Sequence, residues 1–165
     1  MRSGRRRSSG FVYVALLAVV AVSGAMLAAV GEVYSRSAQR EKEADLLFIG
    51  NEFRNAIAHY YERSPGVQRY PKSLEDLIED DRFPMPVRHL RRIYRDPMTG
   101  TAEWGLVRAP DEGIMGVHSL SKDRPLKQAN FDQHNTSFAG SQRYREWQFI
   151  YTPPPPPPGD APPGS

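Results

Sequence analysis

The junction between Gly10 and Phe11 divides this chain into segments of opposite character. Before it lies a short basic leader, residues 1–10, with four arginines and no acidic residue. After it, residues 11–31 form a run of 21 uncharged, mostly apolar residues. As an α-helix this run would be about 30 Å long, the thickness of a bilayer hydrocarbon core. The sequence therefore predicts a transmembrane helix over residues 11–33, with membrane lipid around it.

The positive charge of the chain is concentrated in this leader. The whole chain has 22 Lys and Arg against 19 Asp and Glu, but residues 11–165 carry a formal charge of −1. A nucleic-acid-binding domain would keep its basic excess on the folded part, so we expect no nucleic-acid partner. The positive-inside rule places the leader in the cytoplasm and the residues after about Val33 on the far side of the membrane.

A second helical pattern follows the apolar run without an intervening proline. Apolar residues recur at helical spacing at Leu46, Ile49, Phe53, Ile57 and Tyr60. Charged and polar residues, including Glu43, Arg54 and Asn55, occupy the opposite face. The pattern predicts one nearly continuous helix over residues 11–61, whose second part, residues 34–61, packs on a domain. The alternative is a membrane anchor that is followed by a hinge near residues 35–39 and a separate helix.

Residues 62–152 are predicted to form a small α+β domain. Ser73 is a suitable N-cap, with Asp76 three residues later, for a short helix. Strands are predicted over residues 103–109, 113–121 and 147–152, and an irregular loop over residues 122–142. In the third strand, apolar side chains alternate on one face at Trp147, Phe149 and Tyr151.

The predicted fold class is therefore α+β, with a long N-terminal helix packed on a small antiparallel three-stranded sheet. Residues 153–165 contain eight prolines and no large apolar side chain. Such a composition favours an extended, disordered tail that adds nothing to a core.

The order of these features resembles that of a known family. Gly10-Phe11, the segment from Tyr70-Pro71 to Leu77, and the turn Asp96-Pro97-Met98-Thr99-Gly100 before Trp104 follow one another as in type IV prepilins and type II secretion pseudopilins. The resemblance, closest to the major pseudopilins, implies that the leader is removed after Gly10 and that Phe11 is then N-methylated. It also implies a pilin-like fold and a single-pass protein of the inner membrane, with a cytoplasmic N-terminus and a periplasmic C-terminal domain.

The function that this resemblance implies is structural. The chain would be an assembly subunit of a bacterial type II secretion or pilus-type apparatus, in contact with other pseudopilins and with inner-membrane secretion components. The fifth residue after the cleavage site is Ala15, where the family usually has Glu, and this departure resembles the subunit at a pseudopilus tip. The alternative is a bitopic, membrane-anchored periplasmic domain that binds a partner protein and never enters a filament.

Major pseudopilins bind calcium in a loop near the C-terminus, and the matching loop here offers two carboxylates. Asp123 and Asp132 are the candidate ligands, since calcium requires six to eight oxygens, several from carboxylates. Positive charge from Lys122, Arg124 and Lys127 opposes such a site. A solvated loop without metal is the alternative, and we expect no cofactor.

Four arginines, Arg88, Arg91, Arg92 and Arg95, recur at three- to four-residue spacing. They suit an acidic docking partner, but five acidic residues within positions 75–81 could equally neutralise them inside the domain.

No catalytic pattern is present in the sequence. The four histidines lack metal-binding spacing, the glycines form no phosphate-binding loop, and no serine lies in a nucleophile elbow. The chain contains no cysteine, which excludes disulfides and thiolate metal sites. We therefore expect neither an enzyme nor a small-molecule substrate.

Overall fold

The computed structural model describes residues 9–155, and the chain divides into two units, residues 1–41 and 42–165. The side chains of residues 9, 10, 25 and 27–33 lie outside the description, as do residues 1–8 of the predicted leader and residues 156–165 of the predicted tail. Helix α1 comprises Ser9–Glu62, and residues 35–39, the alternative hinge, are helical. Three strands follow, β1 (Gly105–Arg108), β2 (Ile114–His118) and β3 (Gln148–Ile150). The α+β class and the three-stranded sheet are confirmed.

The predicted membrane span is wrong. A bilayer requires about 20 consecutive apolar residues in one helix, and none of the helices in the described part of the chain is long and apolar enough to cross it. The prediction of a single-pass inner-membrane protein, which depended on this span, is therefore also wrong.

The core of the second unit lies between α1 and the sheet. The apolar stripe of α1 is buried as its spacing predicts, with Leu46, Phe53 and Ile57 fully inaccessible to solvent. Aromatic side chains fill the space on the other side of the core: Trp104, Phe138, Tyr144, Trp147 and Phe149. Burial of such large apolar side chains is the main source of stability in a domain of this size.

The sheet is antiparallel, with β2 in the centre. Leu106 of β1 lies opposite Val117 of β2, which in turn lies opposite Phe149 of β3. Trp147 and Phe149 are fully buried and Tyr151 is half-buried, so the predicted alternation along the third strand is confirmed. The strands are shorter than the patterns suggest, because turns and coil occupy the ends of each predicted segment.

Gly50 brings the backbone of α1 against β3. A Cβ atom at this position would lie 2.3 Å from a ring carbon of Phe149. The ring cannot simply move aside, since Phe149 is fully buried and packs edge-to-face on Phe138, with ring centroids 5.0 Å apart. Glycine is therefore a requirement of the helix–sheet contact rather than a weak point of the helix.

Glu43 was predicted to lie on the polar face of α1, and this prediction is wrong. Its side chain is buried and its Oε1 accepts hydrogen bonds from the backbone N–H groups of Leu126 and Lys127 and, at 2.9 Å, from the Tyr144 hydroxyl. A carboxylate held by several donors can remain buried without a cationic partner. Glu43 thus anchors the segment predicted as an irregular loop, part of which is 3₁₀-helical at Gln133–Phe138.

The segment predicted as a short helix and the predicted Asp96–Gly100 turn are both local hydrogen-bonded units. Ser73 and Asp76 bond reciprocally, backbone to side chain, around the single 3₁₀ turn Glu75–Leu77, which is shorter than the predicted helix. Asp96 is fully buried and accepts from the Met98 N–H at 2.9 Å and from the Ser119 hydroxyl at 2.7 Å. The latter bond ties the turn before β1 to the residue that follows β2.

The contact between Gly50 and Phe149 predicts the effect of one added methyl group. We expect Gly50→Ala to lower the free energy of unfolding by about 1–3 kcal/mol, because overpacking outweighs the better helix propensity of alanine. Urea denaturation measures the change. Gly24→Ala is the control, since a Cβ there meets nothing within 4 Å. Equal stability of Gly50→Ala and wild type would mean that the core accommodates the extra carbon.

Candidate functional site

The first unit presents an apolar segment, residues 11–24 of α1, to its surroundings. Its large apolar side chains are all exposed, from 51% for Leu17 to 77% for Phe11. A helix that is apolar on every side is normally covered on every side. Near the C-terminal end of the segment, the Ser23 hydroxyl donates to the Val19 carbonyl at 2.8 Å within the same helix. The segment therefore offers apolar contact and no charge.

The residues of the predicted processing site lie at the start of this segment. Gly10 and Phe11 are both in the first turns of α1, and the Phe11 ring is exposed. Ala15, the position where the family usually has Glu, is also exposed. The structure does not test removal of the leader, which stays a prediction.

The two calcium candidates do not form a cluster with other ligands. Asp123 accepts a hydrogen bond from the Ser121 hydroxyl at 3.2 Å, and Asp132 precedes the 3₁₀ segment Gln133–Phe138 with its side chain exposed. Within residues 9–155, no group of three or more His, Cys, Asp or Glu side chains could hold a metal ion. Calcium binding at Asp123 and Asp132 remains a prediction without support from the geometry.

The arginine cluster is exposed. Arg92 lies 5.2 Å from the centre of the Tyr94 ring, and Arg95 donates weakly to the Gly100 carbonyl at 3.4 Å. Arg88 and Arg91 form no ion pair with any residue in the described part of the chain. Of the five acidic residues within positions 75–81, Asp80 pairs with Arg82 and His89 rather than with this cluster.

Asp80 instead holds the end of α1 through Arg82. The Arg82 guanidinium binds both carboxylate oxygens of Asp80, at 2.8 and 2.7 Å, and His89 contacts the same carboxylate at 3.0 Å. Arg82 also donates to the Tyr60 carbonyl at 2.9 Å and to the Ser64 hydroxyl at 2.7 Å. A cation at the C-terminal end of a helix interacts favourably with the helix dipole as well as with these acceptors.

This network perturbs the ionisation of Asp80. Burial alone would raise the pKa of the carboxyl group, but hydrogen bonds from Arg82 and His89 outweigh it and lower the pKa to about 2. The ionised form is therefore the one that the fold stabilises.

A second cation, Arg54, lies in a cleft of the α+β unit. Residues of α1 form one wall, residues 132–135 form the other, and residues 150–152 close the end; the cavity volume is about 600 Å³. Arg54 donates to the side-chain oxygens of Asn51 at 2.9 Å and Asn135 at 2.8 Å. Its Nε is buried without an acceptor in the described part of the chain.

The sequence pattern placed Arg54 on the solvated face of α1, so this cleft was not predicted. One signal was available, since Arg54 directly follows Phe53 and lies three residues before Ile57. Such a position borders the apolar stripe, where a long side chain can run along the core. The partner Asn135 is 81 residues away, and no local pattern indicates it.

Comparisons with protein-family models, with curated proteins and with solved structures find no match to this chain. The resemblance to pseudopilins stays a prediction from the residues themselves.

The lowered pKa of Asp80 predicts a specific loss of stability in acid. Because the folded-state value lies below the ordinary 3.8, the contribution is complete above about pH 4 and is lost as the pH falls towards 2. The loss should be about 2 kcal/mol, measured by urea denaturation across this range.

Asp81→Asn is the matched control, since the neighbouring Asp81 is exposed and has no partner among residues 9–155. It should keep the wild-type dependence, whereas Asp80→Asn should be less stable at neutral pH and should lack this part of the acid loss. An acid loss in Asp80→Asn as large as that of wild type would contradict the assignment.

Proposed function

We propose that this chain is a pseudopilin-like structural and assembly subunit of a bacterial type II secretion or pilus-type apparatus, and that it acts by protein–protein contact. The observation that carries the proposal is the apolar segment of residues 11–24, whose large side chains are all at least half exposed. The order of long helix, short turn and three-stranded sheet supports it, because this is the order that the resemblance implies.

The distribution of the apolar side chains favours many neighbours over one. A single partner helix would cover one face of residues 11–24 and leave the rest in water. Burial of apolar area stabilises by about 25 cal/mol per Å², so a packing in which several helices surround each copy gains the most. Monomeric proteins rarely expose apolar patches of more than a few hundred Å². A filament or bundle of copies provides such surroundings.

Removal of the leader after Gly10 belongs to the same proposal. It would leave Phe11 as the first residue and place Ala15 where the family's Glu pairs with the terminal amine of a neighbour. Because Ala15 carries no carboxylate, contacts between copies would depend on the apolar side chains alone. The cleft around Arg54 favours a second candidate function, a protein-binding domain that does not enter a filament.

Cysteine cross-linking in expressing cells tests the assembly. The chain has no native cysteine, so single substitutions at each position from 12 to 22 report one contact each. We expect disulfide-linked dimers whose yield varies with a period of about 3.6 residues, because ordered packing places the same position of two copies close together on some faces of the helix and far apart on others.

A cysteine at Met85, exposed on the α+β unit, is the control and should cross-link less. A uniform yield along residues 12–22 would indicate disordered aggregation. The absence of cross-links at every position would contradict the proposal.

A further inference from the structure

The cleft around Arg54 contains a cation without an anionic partner. Arginine has five N–H donors, and two of them are used by the neutral amides of Asn51 and Asn135. Among the remaining donors, the N–H at Nε is buried and has no acceptor within residues 9–155. Buried or half-buried guanidinium groups are normally matched by a carboxylate or phosphate.

Several contacts hold this cation in place. The guanidinium carbon lies 5.6 Å from the centre of the Phe149 ring, and Asn135, itself buried, also donates to Asn51 at 3.3 Å. Burial lowers the pKa of Arg54, as expected for a cation that lacks a compensating charge. The side chain is thus positioned before any anion arrives, which reduces the entropy that binding would cost.

The charges around the cleft discriminate between anions. Asp132 is the one carboxylate among the described lining residues, and it forms no ion pair with Arg54. A dianion such as phosphate would meet this like charge at the rim, whereas a single carboxylate can bind the guanidinium in the planar, two-oxygen geometry that suits it.

The end of β3 offers backbone groups beside the same cleft. The Tyr151 N–H donates to the Met115 carbonyl at 2.9 Å, and Ile150 lies opposite Gly116. Because hydrogen-bonded and non-hydrogen-bonded pairs alternate in an antiparallel ladder, the N–H and C=O of Ile150 point away from β2. β3 is an edge strand, and an edge strand can accept an additional extended segment.

We propose that this cleft binds an extended segment of a partner protein through one Asp or Glu side chain, whose carboxylate pairs with Arg54 while its backbone lies along the end of β3. The exposed side chains of Asn55 and Thr152 line the path of such a segment. The inference is independent of helix assembly, because it involves only residues of the α+β unit.

Arg54 could instead serve only to hold residues 133–138 on α1 through Asn135. The two roles predict different measurements. A purely structural arginine affects the unfolding midpoint but does not distinguish an acidic peptide from its neutral twin. If Arg54 binds the peptide, the acidic peptide binds more tightly than its neutral twin. Substitutions at other residues of the cleft then also change the affinity, although they leave the contacts of Arg54 intact.

Fluorescence anisotropy with the full chain provides the test. The probe is a dye-labelled pentapeptide with blocked ends, one central Asp and flanking Val and Thr residues, which favour an extended backbone. Its twin has Asn in place of Asp. We expect the Asp peptide to bind at least about tenfold more tightly than the twin, as charge-assisted hydrogen bonds to a guanidinium imply.

Three variants place the binding in the cleft. Asn55→Asp, at an exposed position, should weaken the Asp peptide about tenfold by like-charge repulsion, and Asp132→Asn should strengthen it about threefold. Arg88→Gln, an exposed arginine outside the cleft, is the control and should bind as wild type does. Arg54→Lys keeps the charge but loses the planar fork, and should weaken binding while its circular dichroism spectrum stays native.

Equal affinities for the two peptides would overturn the proposal, as would wild-type binding by Asn55→Asp. Inorganic phosphate and acetate serve as competitors that separate the classes of anion. Displacement of the peptide by phosphate at a lower concentration than by acetate would also overturn it, because the cleft would then be a general phosphate site.

Discussion

The close approach of α1 to β3 at Gly50 is the contact on which the rest of the α+β unit depends. With no side chain at this position, the Phe149 ring lies directly on the helix backbone. The ring then reaches Phe138, which stacks nearly parallel on Trp147 with ring centroids 5.6 Å apart. A sheet with so few paired residues cannot form a stable layer by itself. Its stability comes from the helix that it packs against.

Buried carboxylates organise the segments that have no regular structure. Glu43 holds residues 126–127, Asp80 holds the end of α1 through Arg82, and Asp96 joins the turn before β1 to Ser119. Each accepts several hydrogen bonds, and a carboxylate has room for about four. The removal of any one would leave buried backbone or side-chain donors without an acceptor, which costs more than the bond itself contributes.

The periodicity of apolar residues in the sequence correctly predicted the helix stripe and the strands of the fold. The apolar stripe of α1, the three strands and the alternation of Trp147 and Phe149 follow directly from spacings of 3.6 and 2. The roles of Glu43 and Arg54 could not be predicted in this way, because each side chain finds its partner more than 80 residues away. A charged residue beside an apolar stripe looks the same in sequence whether it is solvated or buried.

The prediction of a membrane span, by contrast, was wrong. Residues 11–31 have the composition of a spanning helix, but none of the helices in the described part of the chain is long and apolar enough to cross a bilayer. In the structure, the large apolar side chains of residues 11–24 are exposed on all sides of α1. The Arg54 cleft was not predicted either, because Arg54 and Asn55 were assigned to the polar face of α1 and the other wall of the cleft is about 80 residues away along the chain.

The central claim is the proposal that α1 has two roles. Residues beyond Lys42 build the core of the α+β unit, and residues 11–24 are proposed to join one copy to another. Hydrogen–deuterium exchange of the full chain, read by mass spectrometry over a dilution series, tests it directly. Amides of residues 46–60 should be protected at every concentration, because their side chains form the core. Amides of residues 11–24 should become protected only as copies associate. Equal exchange of residues 11–24 in dilute and concentrated samples would contradict the account.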